Sequence, residues 1–471
     1  MNNNNLTQGS IWNSLITLSL PIIFANILQT AYQLTDTFWV GRLGTVAVAA
    51  VSISFPIVFL IISLGGGIAM AGTILVAQYN GKNDKKSVDH ITSQTFLMVF
   101  FISLILSFIG YLLSPYLINL VGVDADVFLS AVNYMQISFI GIIFVFNFMV
   151  FQSLMRGVGD VKTPMFIVFG TVILNLILDP LFIFGYGFIP GFGVVGAALA
   201  TIGTQGIASI IGIGLLIKGR HHIKLNLKDL KPDFSLIKKM FWLGFPASIE
   251  QSTRALGMTV MTFLVASFGT LTIAAFGIGG RILSFIIIPA MGLSMATSTL
   301  VGQNIGAGKV DRAEKIVKYS CFTGFLILSF IGVLTFIFAN QISAFFIPGE
   351  IDTIASSALF IKIMSLSFGF IGIQMSLTGA FRGSGNTTMS MILSIISLWV
   401  FQFPLAYILS KHTHFLEVGI WMAFPIANVL AVIITYSWFV KGSWKLKKLT
   451  EEIKVERNVT NESIIEEGLN N

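Results

Sequence analysis

Charge is scarce in this chain. Only 10% of its 471 residues are Asp, Glu, Lys or Arg, where a soluble globular protein carries roughly 25%. Cysteine is nearly missing: Cys321 stands alone in an apolar run, so neither an intrachain disulfide nor a thiolate metal site can form. The five histidines, His90, His221, His222, His412 and His414, lie outside the apolar runs. A His-Glu-x-x-His motif and a Ser-His arrangement within those runs are both absent, which excludes a membrane-embedded hydrolase or metalloprotease. The start, Met-Asn-Asn-Asn-Asn, lacks a basic n-region, and the first apolar run exceeds a signal h-region. It reads as an uncleaved first span. What abounds is apolar surface: 55% of residues are hydrophobic and mean hydropathy is +0.87. No water-soluble domain can hide that much, so the chain is a polytopic membrane protein with the lipid bilayer as solvent. A soluble enzyme, a secreted disulfide scaffold and a nucleic-acid reader are excluded. The net charge of +7 reflects basic loops on one membrane face.

A span needs about 20 apolar residues. Twelve candidates occur, at 14–40, 45–79, 92–114, 127–154, 163–186, 193–217, 236–266, 270–304, 314–339, 351–380, 387–410 and 417–440. Each must be a helix, because in lipid the backbone has to satisfy its own hydrogen bonds. With the N-terminus inside, 23 of the 28 Lys and Arg fall in inner loops, at the inner ends of spans and in the tail. Both termini are therefore expected in the cytoplasm, and the protein in the plasma membrane.

The chain repeats itself. Gly67 to Gly81 aligns without gaps to Gly292 to Gly306, with seven of fifteen positions identical. The same 225-residue offset pairs Pro21 with Pro246 and Gly44 with Gly269, and an offset of 226 pairs RGVGD (156–160) with RGSGN (382–386). Each half holds six spans, an even number, so both enter the membrane the same way. The expected fold is all-α: twelve transmembrane helices in two pseudo-symmetric six-helix bundles related by a parallel repeat. The expected division is an N-lobe (1–217), a cytoplasmic linker (218–235), a C-lobe (236–440) and a charged tail (441–471). Rocking of one bundle against the other would give alternating access.

Three acids fall deep inside spans, away from their ends: Asp36, Asp179 and Glu250. A charge at membrane depth is costly and is by default a functional hypothesis. Asn175 stands one turn before Asp179, and Gln29, Gln33 and Asp36 share a helix face at the first span. Carboxylates and amide oxygens in such a setting suit a proton or Na+. Glu250 has Arg254 at i+4, which reads first as an internal ion pair, with Arg281 as a competing cation. The repeat mates of Asp36, Asp179 and Glu250 are Met261, Leu405 and Ala25. The acids thus break the symmetry and place the coupling site in the N-lobe.

Six segments stand out in order along the chain: LPIIFANILQTAYQLTDTFWVGRLG at 20–44, LVAQYNG at 75–81, RGVGDVKTP at 156–164, NLILDPLFIFG at 175–185, GVVGAALAT at 193–201 and VGQNIGAGK at 301–309. Together they resemble the multidrug and toxic compound extrusion (MATE) family, and within it the DinF-like branch. The resemblance implies a polyspecific exporter of small organic, cationic compounds driven by inward H+ or Na+, without an organic cofactor or an obligate protein partner. It carries a cation-coupling site over to Asp36, Asn175, Asp179 and Thr201, and substrate-cavity positions to Gln29 and Tyr32. Other branches use an acid pair in the C-lobe, for which this chain offers Glu250 and, in the tenth span, Gln374. The rival reading is a lipid-linked oligosaccharide flippase, which would need a cationic cavity built from Arg254, Arg281 and Lys362. A non-transporting receptor or scaffold is the remote alternative, and the short loops speak against it.

Overall fold

The structure, a computed structural model, describes residues 6–187, 189–219, 221–445 and 449–450. The rest, including most of the tail expected at 441–471, lies outside the described residues.

Among the described residues, ten helices are long and apolar enough to cross a membrane. In order they include α1 (Ile11–Gly41), α2 (Thr45–Gly81), α3 (Lys85–Val121), α4 (Ala125–Val158), α5 (Lys162–Phe184) and α6 (Val194–Lys218). A hairpin, β1 (Gly185–Tyr186) with β2 (Ile189–Pro190), turns the chain between α5 and α6. The second half runs α7 (Phe234–Ala266), α8 (Thr270–Gly306), α9 (Val310–Ile337), α10 (Ala339–Phe346), α11 (Ile351–Ser365) and α12 (Phe368–Gly383). It ends with α13 (Thr387–Ile395), a π-helical turn (Ile396–Gln402), α14 (Phe403–Lys411) and α15 (Glu417–Val440). Helix α7 spans 33 residues but stands outside the ten, because Lys238, Lys239, Glu250 and Arg254 interrupt its apolar run. With α7 and the bent pair α11–α12 the twelve expected spans are all present.

The span expected at 351–380 is not one straight helix. It bends by 50° between α11 and α12, and no proline causes the bend. Instead Ser365 and Ser367 donate their hydroxyls to the carbonyls of Lys362 and Met364, and Asn428 donates to Ser367 at 3.0 Å. Serine hydroxyls that capture nearby carbonyls compete with the helix ladder and bend it.

The repeat shows in the backbone. Gly44 and Gly269, the residues before α2 and α8, have φ of 101° and 100°, a conformation that an L side chain resists. In the first half, α2, α3, α4 and α6 enclose a core around Leu75, Phe139 and Phe151. In the second, Phe360 and Trp421 meet at a 4.2 Å centroid distance inside a cluster with Phe276 and Phe424. The halves meet where small residues let backbones approach. Ser248 of α7 donates to Leu64 of α2 at 2.8 Å beside Gly67, and Ile23 of α1 fills the space over Gly292 of α8. These approaches lie between mid-helix and the face that carries both termini.

Candidate functional site

Three helices bring the first-half polar residues together. Asp36 lies five residues before the end of α1, Asp179 five before the end of α5, and Thr201 seven after the start of α6. At 1.5 Å per residue, the cluster sits roughly 8–10 Å from the helix ends opposite the termini. The sequence reading placed these acids deep in their spans; in the structure both lie within two turns of the far ends of their helices. Glycine-rich turns and the β1–β2 hairpin hold α5 and α6 side by side there: Phe192 and Gly193 donate backbone N–H to Phe182 and Ile183 at 2.9 and 3.0 Å.

Asn175 donates to Asp179 Oδ1 at 2.9 Å, and Thr201 donates to Asp36 Oδ2 at 3.3 Å. The two carboxyls lie within hydrogen-bonding reach of each other. Thr204 donates to the Thr201 carbonyl at 2.9 Å, so the 2.6 Å contact between Tyr32 and Thr204 is made by the Tyr32 hydroxyl donating. Asp179, Asn175 and Thr204 are fully buried and Tyr32 nearly so. Three oxygens remain without a partner although buried: Asp36 Oδ1, Asp179 Oδ2 and Asn175 Oδ1. A buried acceptor left unpaired costs about 1–3 kcal/mol, more when charged. The arrangement therefore has acceptor capacity in excess of the donors around it, and a proton between the carboxyls or a small oxygen-seeking cation would remove the excess. Gln29 and Gln33 are exposed on α1 rather than buried with this group.

Sequence reasoning missed Thr204 and Tyr134. Thr204 sits at i+3 from Thr201, on the same helix face, and that spacing was a usable signal. Tyr134 of α4 lies within electrostatic reach of both acids, but nothing in its local sequence points there.

The second-half acid is in a different state. Glu250 is fully buried. Its Oε1 accepts from Arg254 at 3.1 Å, Arg382 at 2.7 Å and Ser394 at 2.8 Å, and its Oε2 accepts from Ser390 at 2.7 Å. Four donors thus engage both oxygens of this carboxylate, three of them on Oε1. Arg382, the partner that completes it, comes from the RGSG turn at the end of α12 and was not foreseen. Arg281, expected as a competitor, instead stands over the Phe346 ring at 5.6 Å. Gln374 is not among the partners of Glu250, and its own Oε1 is buried unpaired. The two residues named for a C-lobe site are thus not joined by a hydrogen bond.

The family model MatE matches residues 21–181 and 246–408, one copy per half. The chain belongs to the MatE family. Among its relatives, "Probable multidrug resistance protein YpnP" of Bacillus subtilis (strain 168) is 30% identical over 447 residues, covering 95% of this chain and 98% of that one. "Probable multidrug resistance protein YoeA" of the same organism is 28% identical over 453 residues, covering 95% and 97%. The solved structure of an outward-facing multidrug resistance MATE family transporter of the MOP superfamily matches with a TM-score of 0.88 at 25% identity, covering 95% of this chain and 99% of that one. This MatE chain therefore has the twelve-helix fold of a membrane transporter, and its two family matches fall one in each half of the sequence repeat.

Proposed function

We propose that this chain is a secondary active exporter of lipophilic, cationic organic compounds, driven by inward H+ or Na+ through alternating access of its two lobes. The observation that carries the reading is the trio of unpartnered buried oxygens on Asp36, Asp179 and Asn175. Ionised, the two acids attract a cationic compound into the cleft between the lobes (1–217 and 236–440). Once H+ or Na+ arrives from outside and takes up the excess acceptors, that attraction is lost and the compound leaves. Thr201 positions Asp36, and Asn175 positions Asp179. Gln29, exposed two turns along α1 from Asp36, is available to the compound itself. The concentration of Lys and Arg on one side supports cytoplasmic termini and a plasma-membrane location. Each elementary charge moved inward then supplies about 2.3 kcal/mol per 100 mV.

The flippase reading loses support because its cations are engaged. Arg254 pairs with Glu250, Arg281 covers Phe346, and Lys362 covers Phe336 at 6.0 Å. Ethidium efflux from energised cells lacking their own exporters tests the proposal. Wild type should export, and Asp36→Asn at matched expression should not. Full export by the mutant refutes the role given to Asp36.

A further inference from the structure

On the face that carries the termini, α2 and α8 cross with no side chain between them. A Cβ on Gly81 would lie 1.9 Å from the Gln303 carbonyl oxygen, and one on Gly306 would lie 1.9 Å from that of Gln78. Beside this crossing two buried glutamines reach across in opposite directions. Gln78 of α2 donates to the Gly383 carbonyl at the end of α12, at 3.1 Å. Gln303 of α8 donates to the Gly157 carbonyl at the end of α4, at 2.9 Å. Gln78 and Gln303 are related by the 225-residue offset, and Gly157 and Gly383 by 226. The two bonds are one contact made twice, and each joins the two halves.

Each contact is covered by a leucine from outside the repeat. Leu6, 4% exposed, lies over Gly159, 2.7 Å from where a Cβ would be. Its carbonyl accepts from Asn304 in the other half at 3.2 Å. Leu449 lies over Gly385 at 2.5 Å from the corresponding point. Its N–H donates to Gln78 Oε1 at 3.1 Å, and its carbonyl accepts from Tyr79 at 3.4 Å. Gly159 and Gly385 are again repeat mates, and so are Tyr79 and Asn304. The segment before α1 is drawn further onto the second half by Lys309, which donates to Thr7, and by Arg312, which donates to Gln8 and Gly9.

We propose that Gln78 and Gln303 are the gate residues of this face, with Leu6 and Leu449 as paired wedges, so that inward opening requires both cross-half bonds to break and both leucines to withdraw. The bonds join rigid helix ends, so separating the halves at one pair strains the other, and the gate opens as a unit. Burial makes each bond costly to leave unmade, and exposure of the opened ends to water repays that cost. The gate therefore has two stable settings. The terminal segments bias it toward closed, although the family repeat contains neither of them.

The test uses the full chain in lipid nanodiscs, with Cys321→Ser and spin labels at Lys86 and Lys315, both exposed on this face. Wild type should show a dominant short distance. Gln78→Met with Gln303→Met keeps side-chain volume and removes both donors. It should raise the long-to-short population ratio at least tenfold, each single variant less. Leu6→Ala with Leu449→Ala should move it the same way. An unchanged distribution in the folded double Met variant overturns the proposal. If that variant fails to fold, Leu6→Cys with Asn304→Cys, joined by a short bifunctional thiol reagent, decides instead. Joined protein should stop exporting and recover on cleavage of the linker, while undiminished export overturns the gate. The distance arm reads the gate whatever the compound is, so its outcome is separable from that of the exporter reading.

Discussion

Replacing Glu250 by glutamine separates a structural acid from a coupling acid. The carboxylate is fully buried, while the side chains of its two arginines are 34% (Arg254) and 14% (Arg382) exposed. Glutamine is close in shape. Its oxygen can still accept from Arg382 and Ser394, and its amide can donate to a reoriented Ser390. The hydrogen-bond count thus changes little, but two guanidiniums lose their counter-charge. Arg254 can turn toward water, and a partly exposed pair contributes only about 0–1 kcal/mol. Arg382 has no such exit. Removing one partner of a buried pair costs about 3–5 kcal/mol, so the loss should be in that range and come mainly from Arg382. Chemical unfolding of the purified protein in detergent is the assay. Glu250→Gln should fall by that amount, Arg254→Gln by under about 1 kcal/mol, and Glu250→Gln with Arg382→Gln should recover at least half the loss. If Glu250→Gln unfolds like wild type yet no longer exports, the argument is wrong and Glu250 belongs to the coupling machinery.

The first-half acids should behave in the opposite way. Asp179→Asn brings an amide donor into a cluster with unpartnered acceptor oxygens, so its unfolding midpoint should match or exceed wild type while ethidium efflux disappears. A marked loss of stability would show that the acid is structural. Tyr32→Phe removes the bond to Thr204 and should cost about 0.5–1.5 kcal/mol in the same unfolding assay; no change would place that hydroxyl in water instead. Gly306→Ala meets a backbone oxygen that no rotamer can move. It should cost about 1–3 kcal/mol as overpacking, read as a lower yield and midpoint, and a neutral result would mean that α2 and α8 do not cross so closely.

Much of the fold was legible because its cause is local. Hydropathy and the need of a backbone in lipid to bond to itself act over 20 residues, so ten of the expected spans could be read as single helices, and the eleventh is interrupted by a π-helical turn. The tenth could not: its bend depends on Ser365, Ser367 and an asparagine 61 positions further along, Asn428. In the first-half site, Asn175 and Asp179 were a pair from spacing alone, being one turn apart. The role of Glu250 was half visible, since Arg254 is its helical neighbour, whereas Arg382 lies 132 residues away.

The sequence by itself determined that the chain is helical, membrane-bound, twofold repeated and sparing with buried charge, because composition and periodicity report those properties directly. Tertiary structure alone decided which polar atoms found partners. Thr201 reaches Asp36 across 165 residues, Tyr32 reaches Thr204 across 172, and Gln78 reaches Gly383 across 305. No local pattern encodes such pairings, since each depends on where two separately formed helices stop sliding and pack. The contrast between Glu250, with both oxygens hydrogen-bonded, and Asp36 and Asp179, each with an unpartnered oxygen, arises from that packing.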